Sequence, residues 1–426
     1  MSGKRFLFAT LGSLGDVYPY IALAVEMKRR GHRVAIATSF QHRSLIERSG
    51  IHFNRVSPEC DFSDAAFQRL ALHERKGSAY LLRDTIFPQI RKSYSDLLSA
   101  ASEADLLVTH TLSYAGPLVA EKTQIPWVST VLSPLTFFSF YDSPVLASRL
   151  TWLREIVPSL NSLVNRIARR TTRSWSEPVR QLRRDLGLPS GADAIYEGQH
   201  SPTCVLALFP SLFAKPQPDW PAQILMTGFP FWAEPDLSVE ASAALDRFLA
   251  SGPAPLVFTL GSSAVLNPGM FYEESVKAAQ RLGLRSVLIG SAGGRRTSSS
   301  SDVFTLAYAP HSRIFSHACA IVHQGGIGTS ARALSAGRPM LVVPFGYDQP
   351  DNAARLVRLG VARTLGRTSY AVGRAASELS LLMSDSRYKT KARRIADRIN
   401  SEDGVHATCD ALENCLRRER RLPAGG

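Results

Sequence analysis

The chain lacks several signatures that would place it quickly. No apolar run approaches the ~20 residues needed to span a membrane. Its five cysteines are scattered, with no C-x-x-C, which argues against both a disulfide framework and a structural zinc site. There is no Asp-x-Asp triplet, no H-E-x-x-H and no Cys/His cluster, so nothing in the sequence asks for a metal or another cofactor. The absence of G-x-S-x-G speaks against a serine hydrolase. The first strand–turn segment has Gly12 and Gly15 in place of G-x-G-x-x-G, and the second strand ends in Thr38-Ser39 without an acidic residue. A nicotinamide or flavin dinucleotide site needs both features, so that class is set aside.

Charge of one sign is in excess. Fifty Lys and Arg against 36 Asp and Glu give a formal net charge of +14. Much of it is arginine, over 166–184 and 416–422. No basic motif interleaved with aromatics accompanies it, so no nucleic-acid partner is expected. A solvated arginine surface and attraction to an anionic membrane face both remain open. The apolar stretch near the start is short and runs into Gly12-Ser-Leu-Gly15 without a cleavage pattern, so it reads as a first core strand. The expected location is cytoplasmic, with peripheral contact at the inner face of the membrane as an option.

The rest of the chain alternates between strand and helix signals, in two similar halves. In the first half, strands are expected at Phe6–Thr10, Arg33–Thr38, Asp105–Thr109, Ile125–Ser129 and Thr203–Leu208. A helix is expected over Tyr20–Arg30 after a turn through Gly12–Pro19, and another over Pro117–Glu121. The stretch Met226–Pro235 reads as a linker. The second half has strands at Leu256–Leu260, Ser286–Ile289 and Val303–Leu306, a helix over Phe271–Leu282, and a Gly/Ser/Arg-rich flexible loop at Ser291–Ser301. This pattern predicts an α/β protein of two doubly wound, Rossmann-like domains facing across a cleft. The expected limits are 1–228, a linker at 229–240, and 241–426, with the last helices packing back on the first domain.

One stretch carries specific chemistry. Ala320-Ile-Val322 reads as a buried strand ending at His323. A glycine turn through Gly325, Gly326 and Gly328 follows, and a helix begins near Thr329. Backbone N–H groups and the positive end of a helix dipole then meet at a strand's carboxyl edge, where a diphosphate binds. His323 adds a donor there. After the next strand, Met340–Pro344, come Asp348 and Gln349, an acceptor and an amide suited to hydroxyl groups. Diphosphate on one side and polyol on the other describe a nucleoside-diphosphate sugar. Cys204 and Cys319 sit in apolar runs and read as core.

This stretch resembles the donor signature of the family-1, GT-B-fold glycosyltransferases, H-x-G-G-x-G-T … P … D-Q … N-A. His323, Gly325, Gly326, Gly328, Thr329, Pro344, Asp348, Gln349, Asn352 and Ala353 match it in order and spacing. The resemblance implies a GT-B fold and metal-free transfer of a sugar from a nucleoside-diphosphate donor to an acceptor hydroxyl. It places Gly261 and Ser262 beside the phosphates, Tyr308 against the base and Ala309 at the base edge. Family members carry a base in a G-H/D-x-x-P turn, and here Gly15-Asp16-Val-Tyr-Pro19 puts Asp16 in that place. His110 falls near the position of the aspartate that orients the histidine of relatives. Asp16 also reads as an N-cap and His110 as a strand-end histidine, so the catalytic assignment of Asp16 and His110 is left between these roles.

The acceptor region implied by the resemblance lies between Ser133 and Pro189. It holds Phe137-Phe-Ser-Phe-Tyr141 and amphipathic stretches with Trp152, Leu153, Ile156, Leu160, Leu163 and Ile167. Apolar walls suit a lipid, polyketide or sterol-like alcohol. The Pro-punctuated run from Ser201 to Pro230 is similar to bacterial rhamnolipid rhamnosyltransferases and sterol-glucosyltransferase-like enzymes. Two alternatives remain: a nucleotide-sugar 2-epimerase, which would need several buried carboxylates near the donor, and a non-catalytic nucleotide-sugar-binding partner of another transferase.

Overall fold

The computed structural model describes residues 3–145, 158–290 and 301–419. Trp152, Leu153, Ile156 and the expected loop at 291–300 lie outside the described residues.

The first half forms a seven-stranded sheet in the order β3-β2-β1-β4-β5-β6-β7. Its strands are β1 (Arg5–Ala9), β2 (Arg33–Thr38), β3 (His52–Arg55), β4 (Leu106–His110), β5 (Trp127–Val131), β6 (Val205–Ala207) and β7 (Ile224–Met226). All neighbours pair in parallel. The second half forms a six-stranded parallel sheet in the order β10-β9-β8-β11-β12-β13. Its strands are β8 (Leu256–Thr259), β9 (Ser286–Ile289), β10 (Val303–Leu306), β11 (Ala320–His323), β12 (Met340–Val342) and β13 (Ala362–Thr364). The central strands are buried on both faces, which is why they read as unbroken apolar runs.

β3, β7 and β13 carry no sequence signal comparable to the others. Each lies at a sheet edge and buries few residues; β3 and β13 carry no apolar run, and β7, Ile224–Met226, is apolar but only three residues long. The stretch read as a linker thus begins inside β7, and chain without regular secondary structure follows from 227 to 238.

Each sheet has a point where the strand order reverses. In the first sheet β1 leads outward to β2, while β4 adds on its other side, in register at Ala9 and Thr109. In the second sheet β8 leads to β9, while β11 adds on its other side, in register at Thr259 and His323. Crevices for ligands form at the carboxyl ends of such strand pairs.

Seven helices position these crevices: α1 (Leu14–Arg29), α2 (Ala65–Ala71), α3 (Ala115–Thr123), α4 (Pro158–Thr172), α5 (Ile327–Ser335), α6 (Gln349–Arg358) and α7 (Gly404–Glu419). α1 starts earlier than its sequence suggests. Pro19 sits in its second turn and forfeits one hydrogen bond. The helix nevertheless begins at Leu14, because Ser13 caps it and Asp16, in its first turn, reaches back to the Ser13 N–H. α7 returns to the first domain, where Cys409, Leu412 and Leu416 share a core with Ile21 and Met27 of α1. At its surface Arg30 pairs with Asp410 at 2.6 Å.

α6 also joins the domains. Arg355 is 1% exposed and pairs with Asp351 on its own helix at 2.6 Å and with Asp142 of the first domain at 2.5 Å. Arg358 also reaches Asp142, at 3.0 Å. Asp351 accepts the Val145 N–H at 3.0 Å, and Asn352 accepts the Ser133 hydroxyl at 3.1 Å. Burial alone would push the Asp142 carboxyl up, but the two arginines hold it below the usual carboxylate range. Removing one partner of a buried pair leaves an uncompensated charge, which costs roughly 3–5 kcal/mol. Arg355→Ala is therefore expected to lower the urea midpoint strongly and to increase protease cutting near 139–145. An unchanged midpoint would show that the domain interface does not depend on this cluster.

Candidate active site

Both crevices open into one cleft of about 1500 Å³. That exceeds the few hundred to ~1,000 Å³ of a typical single-ligand pocket and leaves room for two reactants.

On the first domain's side, Asp16 follows β1 and His110 ends β4. Asp16 Oδ2 accepts the Ser13 N–H at 2.8 Å and the Ser13 hydroxyl at 3.1 Å. Asp16 is thus the third residue of its helix and not the N-cap, as its helix-start position alone would suggest. Its Oδ1 lies 3.8 Å from His110 Nε2, too far for a hydrogen bond. Gly12 makes this possible: at φ +139° a Cβ there would stand 2.3 Å from the Asp16 carboxylate. His110 is buried edge-on against Tyr20, whose hydroxyl is held 2.5 Å from Thr130 Oγ1. Burial lowers the His110 imidazole, the Asp16 charge offsetting part of the effect. The ring is therefore neutral near pH 7. The site holds a carboxylate and a neutral imidazole side by side, both on the cleft wall.

On the second domain's side, Gly261 and Ser262 follow β8, and the glycine turn follows β11. Gly326 caps the nine-residue helix α5, and Gly326, Gly328 and Thr329 line the cleft. The first N–H groups of α5 lack intrahelical partners and point toward it. Gly325 has φ +91°, and a Cβ there would press on Val342 at 2.8 Å. Ala309 is 1% exposed on the cleft wall. Tyr308 also lines the cleft, and its hydroxyl donates to the Pro235 carbonyl at 3.0 Å.

Several residues of the donor motif are placed one layer deeper than their sequence role suggests. His323 is 0% exposed and does not line the cleft. Its Nδ1 accepts the Gly325 N–H at 3.1 Å, so Nε2 carries the proton, and that buried N–H has no partner. Burial pulls its imidazole down to about 3, with His311 adding to the effect. Gln349 uses its Oε1 to accept the N–H groups of Phe345 at 2.8 Å and Gly346 at 3.1 Å. Asn352 is fully buried and donates to the Gly325 carbonyl at 2.9 Å and to Asp348 at 2.7 Å. These side chains shape the glycine turn and carry Asp348 into the cleft.

Asp348 follows Tyr347, whose backbone is left-handed at φ +56°. The Tyr347 hydroxyl donates to Gln68 of α2 at 3.2 Å, so the strained residue spans the domains. Burial pushes the Asp348 carboxyl up to about 7; the Asn352 hydrogen bond opposes the shift and the nearby Asp16 charge adds to it. Sequence reasoning missed Tyr347, Glu234 and Arg332 on this cleft, and the buried Gln68 that holds Tyr347. No local pattern marks them, because each acquires its role from a partner in another element.

The expected acceptor region contributes only some of the residues named for it. Phe137 is core, stacked on Trp220 with centroids 4.2 Å apart. Leu163 and Ile167 of α4 are 50% and 54% exposed. The apolar wall comes from Phe138 and Trp175 of the expected region, together with Phe62, Leu81, Leu112 and Tyr196.

Comparison with known proteins fits this arrangement. Residues 6–141 match the glycosyltransferase family 28 N-terminal domain, and residues 292–412 match the erythromycin biosynthesis protein CIII-like C-terminal domain. The chain is 30% identical to O-mycaminosyltylonolide 6-deoxyallosyltransferase of Streptomyces fradiae, over 96% of this chain and 97% of that one. It is 27% identical to the sterol 3-beta-glucosyltransferase of Leptosphaeria maculans over 97% of its own length, but spans 29% of that larger protein. Among solved structures, the glycosyltransferase of kitacinnamycin superposes with TM-score 0.69 at 21% identity, covering 97% of this chain and 99% of that one. The glycosyltransferase VinC in complex with dTDP gives 0.69 at 20%, covering 97% and 100%. The chain belongs to the family-1, GT-B-fold glycosyltransferases, and its two facing doubly wound sheets are that fold.

The Asp348 carboxyl yields a pH prediction. Its folded value lies above the unfolded one of ~3.9, so its contribution to stability is complete below about pH 4 and is lost as pH rises through about 7. Asp348→Asn keeps an oxygen for Asn352 but cannot ionise. Urea denaturation is expected to show the wild type losing stability relative to this variant between about pH 4 and pH 7. Parallel pH profiles would mean that Asp348 titrates as an ordinary surface acid.

Proposed function

We propose that this chain moves a hexose, of glucose or rhamnose type, from a UDP- or dTDP-sugar to the hydroxyl of a hydrophobic lipid, polyketide or sterol-like acceptor, with inversion at the anomeric carbon. The observation that carries this reading is the opposition of the two switch points. One presents Asp16 and His110, the other the glycine turn and the amino end of α5, and both open into one cleft.

In this reading the donor diphosphate lies against the turn from Gly326 to Thr329, with Gly261 and Ser262 on its other side. The free N–H groups and the dipole of α5 take up the charge that develops on the leaving diphosphate. Asp348 faces the sugar hydroxyls. Gln349, Asn352 and Gly325 hold that wall in place, and His323 fixes the turn with its Nδ1 and presents its unpaired Nε2–H beneath it. Tyr308 and Ala309 receive the base.

The acceptor hydroxyl attacks the anomeric carbon from the face opposite the diphosphate. Its proton passes to Asp16 Oδ1, the oxygen that Ser13 leaves free. Neutral His110 is the neighbouring acceptor. The apolar wall suits a large, poorly charged alcohol. The names of the Streptomyces fradiae and fungal relatives, with O-mycaminosyltylonolide and sterol acceptors, support that class. Among the described residues no helix is long and apolar enough to cross a membrane. A cytoplasmic enzyme drawn to the inner membrane face by its +14 charge is compatible with a lipid acceptor.

Asp16→Asn tests the base. The amide oxygen can still accept the Ser13 N–H, so the variant should fold and bind donor as the wild type does. Turnover should fall by about 10²–10⁴-fold, the usual contribution of a positioned base. Full activity in this variant would remove Asp16 from proton transfer and leave the role to His110.

A further inference from the structure

The linker does more than connect the domains. Its segment from Phe231 to Pro235 is pinned onto the second domain and forms part of the cleft wall. The Arg332 guanidinium lies over the Phe231 ring, 4.6 Å from its centroid, and donates to the Trp232 carbonyl. Tyr308 holds the Pro235 carbonyl from the other side.

Between these anchors stands Glu234, whose side chain is 9% exposed. Its Oε2 accepts the Ser312 N–H at 3.3 Å and the Ser312 hydroxyl at 3.4 Å, and lies 3.7 Å from Arg332 Nε. Its Oε1 faces His311 Nδ1 at 3.7 Å, beyond hydrogen-bond range. Among the described residues nothing donates to that oxygen. A mostly buried carboxylate oxygen on a cleft wall, with no donor of its own, is an acceptor left for a ligand.

Its position selects the ligand group. On one side is Tyr308, where the nucleotide base is placed. On the other is α5, from which Arg332 projects and whose amino end holds the diphosphate. The group between base and diphosphate in a nucleotide is the ribose. Its hydroxyls are donors, and a carboxylate accepts only. The same pairing of acid and ribose 2′-hydroxyl recurs in dinucleotide folds from a different place in the chain.

We propose that Glu234 accepts the ribose 2′-hydroxyl of the donor nucleotide through Oε1, and that the site therefore prefers a ribonucleoside diphosphate to its 2′-deoxy counterpart. This inference rests on the nucleotide-sugar reading above and narrows it toward uridine donors. Ser312 and Arg332 act as positioning residues that hold the carboxylate toward the cleft.

Titration calorimetry with UDP, 2′-deoxy-UDP and pyrophosphate tests it, on the full chain and on Glu234→Ala and Glu234→Gln. The wild type is expected to bind UDP about tenfold more tightly than 2′-deoxy-UDP, the value of one charge-assisted hydrogen bond. Glu234→Ala should abolish that ratio while leaving pyrophosphate affinity unchanged. Glu234→Gln, which keeps the shape and an uncharged acceptor, should retain a smaller preference. Equal affinities for the two nucleotides in the wild type, or a preference that survives Glu234→Ala, would overturn the proposal while the donor site stands. Failure of the wild type to bind any of the three probes would overturn the donor-site reading and this inference together.

Discussion

The buried Arg355 guanidinium is the joint on which the cleft depends. It ties α6 to Asp142 across the domain boundary, and the same helix carries Asn352 and begins just after Asp348. A charge this deep is stable only while both carboxylates and their remaining hydrogen bonds are in place. The packing that satisfies Arg355 therefore also sets the distance between the two crevices. Ser133, Val145 and Asp142 on one side and Asn352, Asp351 and Arg355 on the other make one continuous polar seam.

The chemistry follows from what that seam brings together. Each sheet supplies a reversal of strand order, and each reversal opens a crevice at strand carboxyl ends. Either crevice alone has half of what a group transfer needs. One has proton acceptors and an apolar chamber; the other has free N–H groups and a helix dipole for an anion. Facing each other across one cleft, they bring these two halves together.

The proton inventory of the cleft is set mainly by burial. His110, His311 and His323 are all lowered by burial and stay neutral near pH 7. Asp348 is raised by burial, with Asp16 adding to it, so one of the two acids carries a proton under mildly acidic conditions. The strong positive charge of the chain thus coexists with His110, His311 and His323 being uncharged.

Much of this was legible in the order of residues. Doubly buried parallel strands must be apolar throughout, so the central strands announced themselves, and the glycine turn after His323 could only be a close approach of backbone to something. Asp16 was singled out through the family's G-H/D-x-x-P turn, although its part in closing the capping box had to be seen in three dimensions. The edge strands β3 and β13 were silent because they are short and bury little, and β7 because it is only three residues long. His323, Gln349 and Asn352 were read as site residues, but only Gln349 of the three lines the cleft. Pairs such as Arg355 with Asp142, 213 residues apart, or Tyr347 with Gln68, 279 apart, leave no periodic or local trace in either segment. Glu234 gained its place only when the linker folded against Ser312 and Arg332. Local chemistry depends on neighbours in the chain and can be read there; these contacts depend on where the two sheets come to rest, and that is a property of the packed whole.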